Sequence, residues 1–223
     1  MKLEKVKKVL FVTPHCDDEI IHAGATIHKL VKGGCQVKVL AFSEEEYDRM
    51  KQVAEKVGYE CELIQNAVDN FGAAWMAIII DRLLSFRPDV VITTNTKDFY
   101  EDHAKIGRIV QQAVYFADRR AEANKQIYKR PILLFGSPLQ YMQSPSWEGA
   151  SVYCSIGVED IKSKVETLTI YDWFPEQGPN KVYDLVHDRA WSIRKAEACG
   201  DLAGCRMAEV FELANVEPVL EIV

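Results

Sequence analysis

The chain has 223 residues, 48% of them hydrophobic and 27% charged, with a net charge of -6. That profile suits one sizeable soluble domain with a real core. The acidic balance argues against a dedicated nucleic-acid or anionic-membrane surface, because phosphate binders carry a basic excess.

The start, "MKLEKVKKVLFV", sets positive residues before an apolar run too short for a signal peptide. No stretch reaches the roughly 18 consecutive apolar residues of a membrane helix. "KKVLFVTP" reads as a buried strand, "AGATIHKLVKGG" as a helix closed by Gly33 and Gly34, and "CQVKVLAFS" as a second strand. "SEEEYDRMKQVAEKVGY" reads as a helix, with Ser43 and Glu46 spaced as a capping box. A short strand "ECELI" precedes the helix "AAWMAIIIDRLLSFRP", which Pro88 stops. "DVVITTN" is a strand, "HAKIGRIVQQAVYFADRRAEA" a long amphipathic helix, and "RPILLFGS" a core strand. After Ser137 come an irregular Pro-, Gln- and Ser-rich stretch, a strand "SVYCSIG", a helix "VEDIKSKVETLTIY", the loop "DWFPEQGPNK", and a helix from about Val182 to Ala198.

This order predicts an α/β fold: a Rossmann-like, open, mostly parallel sheet with helices on both faces and a C-terminal loop-rich elaboration. No repeat, low-complexity segment or linker interrupts it, so a single domain over 1–223 is expected. Six cysteines (Cys16, Cys35, Cys61, Cys154, Cys199 and Cys205) lack any CxxC or zinc-finger spacing and read as reduced thiols in a cytoplasmic protein.

Two strands end in unusual polar clusters. The first runs into His15, Cys16, Asp17, Asp18 and Glu19; the other leads to Asp98, Glu101, Asp102 and His103. Ligands of open α/β sheets bind outside the carboxyl ends of the strands. Two histidines and one aspartate would suit a catalytic zinc, which keeps three protein ligands and one open position. Spacing alone equally allows a solvated helix start, where acids complement the dipole.

"PHCDDE" resembles the PHxDDE signature of the zinc-dependent LmbE/PIG-L deacetylases. "FRPDVVITTN" is similar to that family's RPDVV strand, and "DFYEDHAKIGRIV" to its D-x-H-x-DH-x-x-x-G element. "GVEDIKSKVETLTIY" is similar to its D-I-x-x-K-x-x-A-L segment and "MAEVFEL" to its AExF, so the likeness runs from Val9 to Leu213. The resemblance implies a zinc ion held by His15, Asp18 and His103, with Asp17 as general base. It implies removal of acetyl from an N-acetylglucosamine-type amino sugar, a Rossmann-like fold without a dinucleotide, and assembly as a homo-oligomer (trimer or hexamer). No GxGxxG follows any strand. Glu19 matches no metal position and is expected to bond the loop or helix start.

Departures from the pattern matter. The family's second element commonly has a histidine where this chain has Tyr100, whose hydroxyl could donate one hydrogen bond but carries no charge. Asp102, which could orient that histidine, loses its obvious partner. Tyr100 and Asp102 remain catalytic candidates beside Asp17. His22 stands where relatives tend to have a small residue, and either faces the pocket or packs. Cys16 replaces a common proline, as a buried filler. Arg49 is the nearest counterpart of a substrate-contacting arginine. Trp173, Phe174 and Tyr171 either stack on a sugar ring or form an aromatic patch. His28 and His187 read as ordinary helix residues. Two alternatives stay open: hydrolysis of another amide or ester, and a metal-binding protein with weak or lost catalysis.

Overall fold

The computed structural model describes residues 6–64, 72–137, 152–171 and 181–214, with 181–191 described by backbone alone. Its strands are β1 (Lys8–Thr13), β2 (Gln36–Ala41), β3 (Glu60–Leu63), β4 (Val90–Thr93), β5 (Ile132–Gly136), β6 (Val152–Ser155) and β7 (Ala208–Leu213). They form one sheet in the order β3-β2-β1-β4-β5-β7-β6. The first five in that order are parallel, with Val9 beside both Val37 and Val90. β7 runs antiparallel to both its neighbours, β5 and β6. The expected open, mostly parallel α/β sheet is therefore what forms. The "AEVFEL" segment, legible beforehand only as a family mark, is the inserted strand β7.

The helices are α1 (Asp18–Lys32), α2 (Tyr47–Val57), α3 (Ala73–Phe86), α4 (Glu101–Ala123), α5 (Val158–Leu168) and α6 (Lys181–Ala203). Alternation along β1 sends Val9 and Phe11 to one face, packed with Ile20, Ile27 and Leu30 of α1 and Met50 and Val53 of α2. Leu10 and Val12 go to the other, against Ile79 and Leu83 of α3 and Ile106 and Val110 of α4. Strands buried on both faces read as continuous apolar runs, which is why "VLFV" and "VVIT" were easy to see. Burying each such large side chain contributes about 1.5–3 kcal/mol. Among the described residues, no helix is long and apolar enough to cross a membrane.

Chain order decides where a ligand can sit. From β1 the sheet grows through β2 and β3 on one side; the chain then crosses back to lay β4 against the other edge of β1. The reversal between β1 and β4 is a topological switch point, where connecting segments part and leave a crevice at the strand ends. Both polar clusters follow these two adjacent strands.

α1 starts five residues earlier than the sequence pattern suggests and breaks at Ala23 (φ -143, ψ 18). The backbone groups released by the break are taken up from elsewhere in the chain. The amides of Ala25 and Thr26 donate to the Glu209 carboxylate of β7 at 3.3 and 2.7 Å. Lys164 Nζ of α5 donates to the Ile21 carbonyl at 2.8 Å and to Glu209 Oε1 at 2.7 Å. A buried ion pair thus stitches the kink, and every pole of it is hydrogen-bonded, as burial demands.

The capping box expected at Ser43 and Glu46 does not form. Glu46 sits in the left-handed region (φ 65) directly before α2 and makes no side-chain cap. Ser43 is held elsewhere: its amide donates to the Pro14 carbonyl at 2.9 Å, and its own carbonyl accepts the Cys16 thiol at 3.2 Å. Those bonds tie the β2 exit to the β1 exit, and the Ser43 side chain accepts the Glu45 amide at 3.2 Å, two residues on, in place of a helix cap. Cys16 is accordingly a buried filler, and all six cysteines are unbridged.

α4 presses closely on the end of β4. A Cβ on Gly107 would stand 2.5 Å from the Thr94 carbonyl oxygen and 3.0 Å from the Thr96 nitrogen, both backbone atoms that cannot swing away. Thr94 Oγ1 meanwhile donates to the His103 carbonyl at 2.7 Å. Gly107→Ala should therefore cost about 1–3 kcal/mol despite alanine's better helix propensity. Urea unfolding measures this, and an unchanged midpoint would refute the close approach.

Candidate active site

Asp18 is the first residue of α1 and only 2% exposed, while Glu19 is fully buried. The acids do open a helix, but they are not solvated there. Asp18 Oδ2 accepts Thr13 Oγ1 at 2.9 Å and the His15 amide at 3.1 Å, which fixes the carboxylate across the turn leaving β1. His15 Nδ1 lies 3.2 Å from Asp18 Oδ2, and His103 Nε2 lies 3.3 Å from Asp18 Oδ1. The two imidazole nitrogens are themselves 3.1 Å apart.

These separations suit a metal. Ligand atoms about 2.0–2.1 Å from a tetrahedral zinc stand roughly 3.3–3.4 Å from one another, close to the separation of the two imidazole nitrogens and to that of each from its nearer Asp18 oxygen. His15 is 39% exposed by side chain against 2% for both His103 and Asp18, so the group is open on one side only. Behind each histidine stands a carboxylate. His15 Nε2 is 2.7 Å from Asp102 Oδ2, and His103 Nδ1 faces Asp98 Oδ2 at 3.5 Å. Carboxylates in this position orient ligating imidazoles and raise their basicity.

Asp102 thus has partners after all: its Oδ1 accepts the His103 amide at 2.9 Å within its own motif, and its Oδ2 meets His15 from the other strand end. The sequence offered no signal for that contact, because 87 positions separate the two and only the β1–β4 pairing joins them. Glu19 likewise bonds neither loop nor helix start through its side chain. Its Oε1 accepts the hydroxyls of Tyr59 and Tyr171, each at 2.8 Å. Burial pushes its carboxyl up to about 8, against the pull of those two hydrogen bonds.

In the absence of a cation the site holds protons. Burial disfavours charge on His15, but Asp18, Asp102 and Asp17 outweigh it and lift the imidazole to about 9. Burial would raise the Asp18 carboxyl; the His15 hydrogen bond and the neighbouring imidazoles bring it down to about 2 instead. His103 is also raised: desolvation opposes this, but Asp98 and Asp18 prevail.

The group lies on a cleft of about 340 Å³, walled by His15, Asp17, Asp18, Tyr100, His103 and Tyr171 and closed by Ser43 to Glu46. Asp17 precedes α1 and accepts the amides of Ile20 and Ile21 on its carbonyl, both at 3.0 Å. Tyr100, the residue before α4, is 52% exposed with its ring 5.4 Å from the His103 ring. Two expected substrate residues do not line this cleft. Arg49 is spent on Glu46 (2.7 Å) and on the Tyr171 carbonyl (3.0 Å), bracing the wall from behind. His22 is buried beneath the floor, 6.0 Å from His103 ring to ring. Trp173 and Phe174 lie outside the described residues, as does the His187 side chain. His28 bonds Asp160 of α5 at 2.7 Å, an ordinary packing role.

Fold and site together define an α/β protein with a histidine–aspartate centre at the switch point of its sheet. The family described as PIG-L, GlcNAc-PI de-N-acetylase, matches residues 10–114 of this chain. No curated protein matches it. Among solved structures, N,N'-diacetylchitobiose deacetylase from Pyrococcus horikoshii is 16% identical with a TM-score of 0.71, over 99% of this chain and 90% of its own. GalB, the 4-carboxy-2-hydroxymuconate hydratase of Pseudomonas putida KT2440, is 19% identical with a TM-score of 0.73, over 92% and 95%. The A40926 pseudoaglycone deacetylase Dbv21 is 16% identical with a TM-score of 0.66, over 92% and 96%. At these identities the likeness speaks for the fold.

Two outcomes follow for metal uptake. Asp102→Asn should weaken zinc affinity about 10–100-fold while leaving the fold intact, because it removes the group that orients His15; a competition titration giving wild-type affinity would sink that role. Zinc must also displace the His15 proton, so apparent affinity should climb with pH until about 9. The same raised value means that in the metal-free protein the stabilising contribution of His15 is complete below 6.5 and lost as pH rises through about 9. Thermal melts of metal-free protein across that window check the sign.

Proposed function

We propose that the protein is a zinc-dependent N-deacetylase acting on an N-acetylglucosamine-type amino sugar, with residues 1–223 as its single domain. The observation that carries this reading is the convergence of His15 Nδ1, His103 Nε2 and Asp18 on one cleft, with Asp17 on its wall. The family description and the two neighbours named as deacetylases support it. GalB, named as a hydratase, shares the fold, so the argument must rest on the site.

His15, Asp18 and His103 would hold the metal. When bound, zinc supplies a water acidified toward about pH 7 and a Lewis acid for the amide carbonyl. Asp17, beside Asp18 and on the open side, is placed to take the proton of the attacking water and return it to the departing amine, which cannot leave as an anion. Tyr100 at the rim offers one hydroxyl donor to the developing oxyanion. Asp102 and Asp98 hold the two imidazoles in the tautomers that leave Nδ1 of His15 and Nε2 of His103 as ligands. A cleft of about 340 Å³ has room for a sugar-sized group. A cytoplasmic homo-oligomer, trimer or hexamer, belongs to the same proposal.

The first test is paired: zinc content of purified protein, and free-amine release from N-acetylglucosamine and N,N'-diacetylchitobiose with and without chelator. Chelator-sensitive amine release is expected; zinc without any amine release from N-acetyl sugars would overturn the deacetylase reading. Asp17→Asn should keep its zinc and lose about 100-fold or more in turnover. Near wild-type turnover would remove Asp17 from the mechanism. Tyr100→His should raise activity on a simple N-acetyl sugar if a cationic donor is what the site lacks, and an unchanged rate would show that the hydroxyl suffices.

A further inference from the structure

His22 does not belong to the group that faces the cleft. Ligand atoms of His22, Asp98 and His103 lie within 4.8 Å of one another in a second group, fully below the floor. His22 is 6% exposed, Asp98 8% and His103 2%. His22 Nε2 is buried without a hydrogen-bond partner, and buried His103 Nδ1 has Asp98 Oδ2 beside it at 3.5 Å, too far for a good hydrogen bond, so neither nitrogen is fully satisfied. A buried polar atom left unsatisfied costs about 1–3 kcal/mol, so two such nitrogens beside a carboxylate call for an occupant. The pocket for the His22 ring is also built: a Cβ on Gly136 would stand 2.9 Å from Cγ and Nδ1 of that ring, so only glycine on β5 lets the imidazole lie there.

We propose that His22, Asp98 and His103 form a second, buried site for a divalent transition-metal cation of the zinc class, contiguous with the first through the His103 ring. Two imidazoles and a carboxylate suit zinc, copper or nickel and disfavour magnesium or calcium, which want oxygen alone. His103 serves both positions with opposite nitrogens. Filling the second forms a bond to Nδ1, whose proton leaves to solvent; the ring then bridges the two cations as an imidazolate. The proposal shares His103 and its orienting carboxylate Asp98 with the catalytic reading, and His22 is the ligand it adds.

The test is a metal count on the full chain, stripped with chelator, reloaded with zinc and desalted, together with an anomalous-scattering map of zinc-loaded crystals. Wild type should hold about two zinc per chain, and His22→Asn and His15→Ala about one each, from opposite sites. The His15→Ala crystal should keep its peak between His22 and Asp98. Should His22→Asn fail to fold, Gly136→Ala displaces the same ring without removing it and should likewise lose one equivalent. One zinc in wild type, lost with His15→Ala and kept with His22→Asn, would overturn the second site, with water left as the occupant, and would leave the first intact. Two zinc in both wild type and His22→Asn would remove His22 as a ligand. Amine release plays no part in this count, so a failed deacetylase assay leaves it standing.

Discussion

The carboxylate of Asp18 is the constraint on which the rest of the centre depends. It is pinned from behind by a strand hydroxyl and by the amide of the very histidine it faces. One side chain therefore sets the turn out of β1, the start of α1 and the position of His15 together. The opposite imidazole arrives on α4, and its distance is set by a helix that cannot back away from the β4 end because glycine brings the two backbones together. Neither half could define the 3 Å spacings alone. The parallel pairing of β1 with β4 converts two local turns into one site.

Carboxylates crowd this crevice: Asp17, Asp18, Asp98 and Asp102 gather around His15 and His103, with the His22 ring next to Asp98. Placed in a buried setting without compensation they would repel one another. Without metal the acids lift the pKa of His15, to about 9, and raise that of His103, and a dication answers the same electrostatic need with greater charge in less space. Glu19 is spared from this crowd because burial among two tyrosine hydroxyls favours its neutral form. The acids of "CDDE" thus divide by environment: one faces the cleft, one binds in the turn, and one is withdrawn into the core as a neutral acceptor.

How much of this the sequence discloses depends on whether an interaction is local. The sheet, its alternating helices and the two strand-end clusters are readable because hydrophobic periodicity and turn residues act within a few positions. His15, Asp18 and His103 could be named from their motifs. The bond between Asp102 and His15 could not, since it joins residues on two strands whose adjacency only the topology supplies. Ser43 misled for the same reason: its spacing to Glu46 matched a capping box, but tertiary bonds to Pro14 and Cys16 outweighed a local preference. Lys164 and Glu209 were visible as family marks without a role. Their role is to satisfy backbone groups at a helix kink that no propensity scale foretells.

That kink deserves to be read with the active site and not apart from it. An unbroken α1 would carry the residues after Asp18 along a single axis, whereas the break at Ala23 lets its first turn follow the strand ends and its remainder follow the sheet. The first turn holds Asp18 and aims His22 under His103; the remainder supplies Ile27 and Leu30 to the core. Glu209 reaches the break from β7, the one strand that runs against the others, and Lys164 reaches it from α5. The described residues of the C-terminal third therefore act on the centre through hydrogen bonds at the kink, and none of them belongs to the histidine–aspartate group. A fold shared by deacetylases and a hydratase leaves the reaction to such details: which nitrogen each imidazole turns inward, which acid faces the open side, and which donor stands at the rim. If the proposed deacetylation holds, Tyr100 at the rim brings an uncharged hydroxyl, and the positive charge that stabilises a developing oxyanion would have to come from the centre itself.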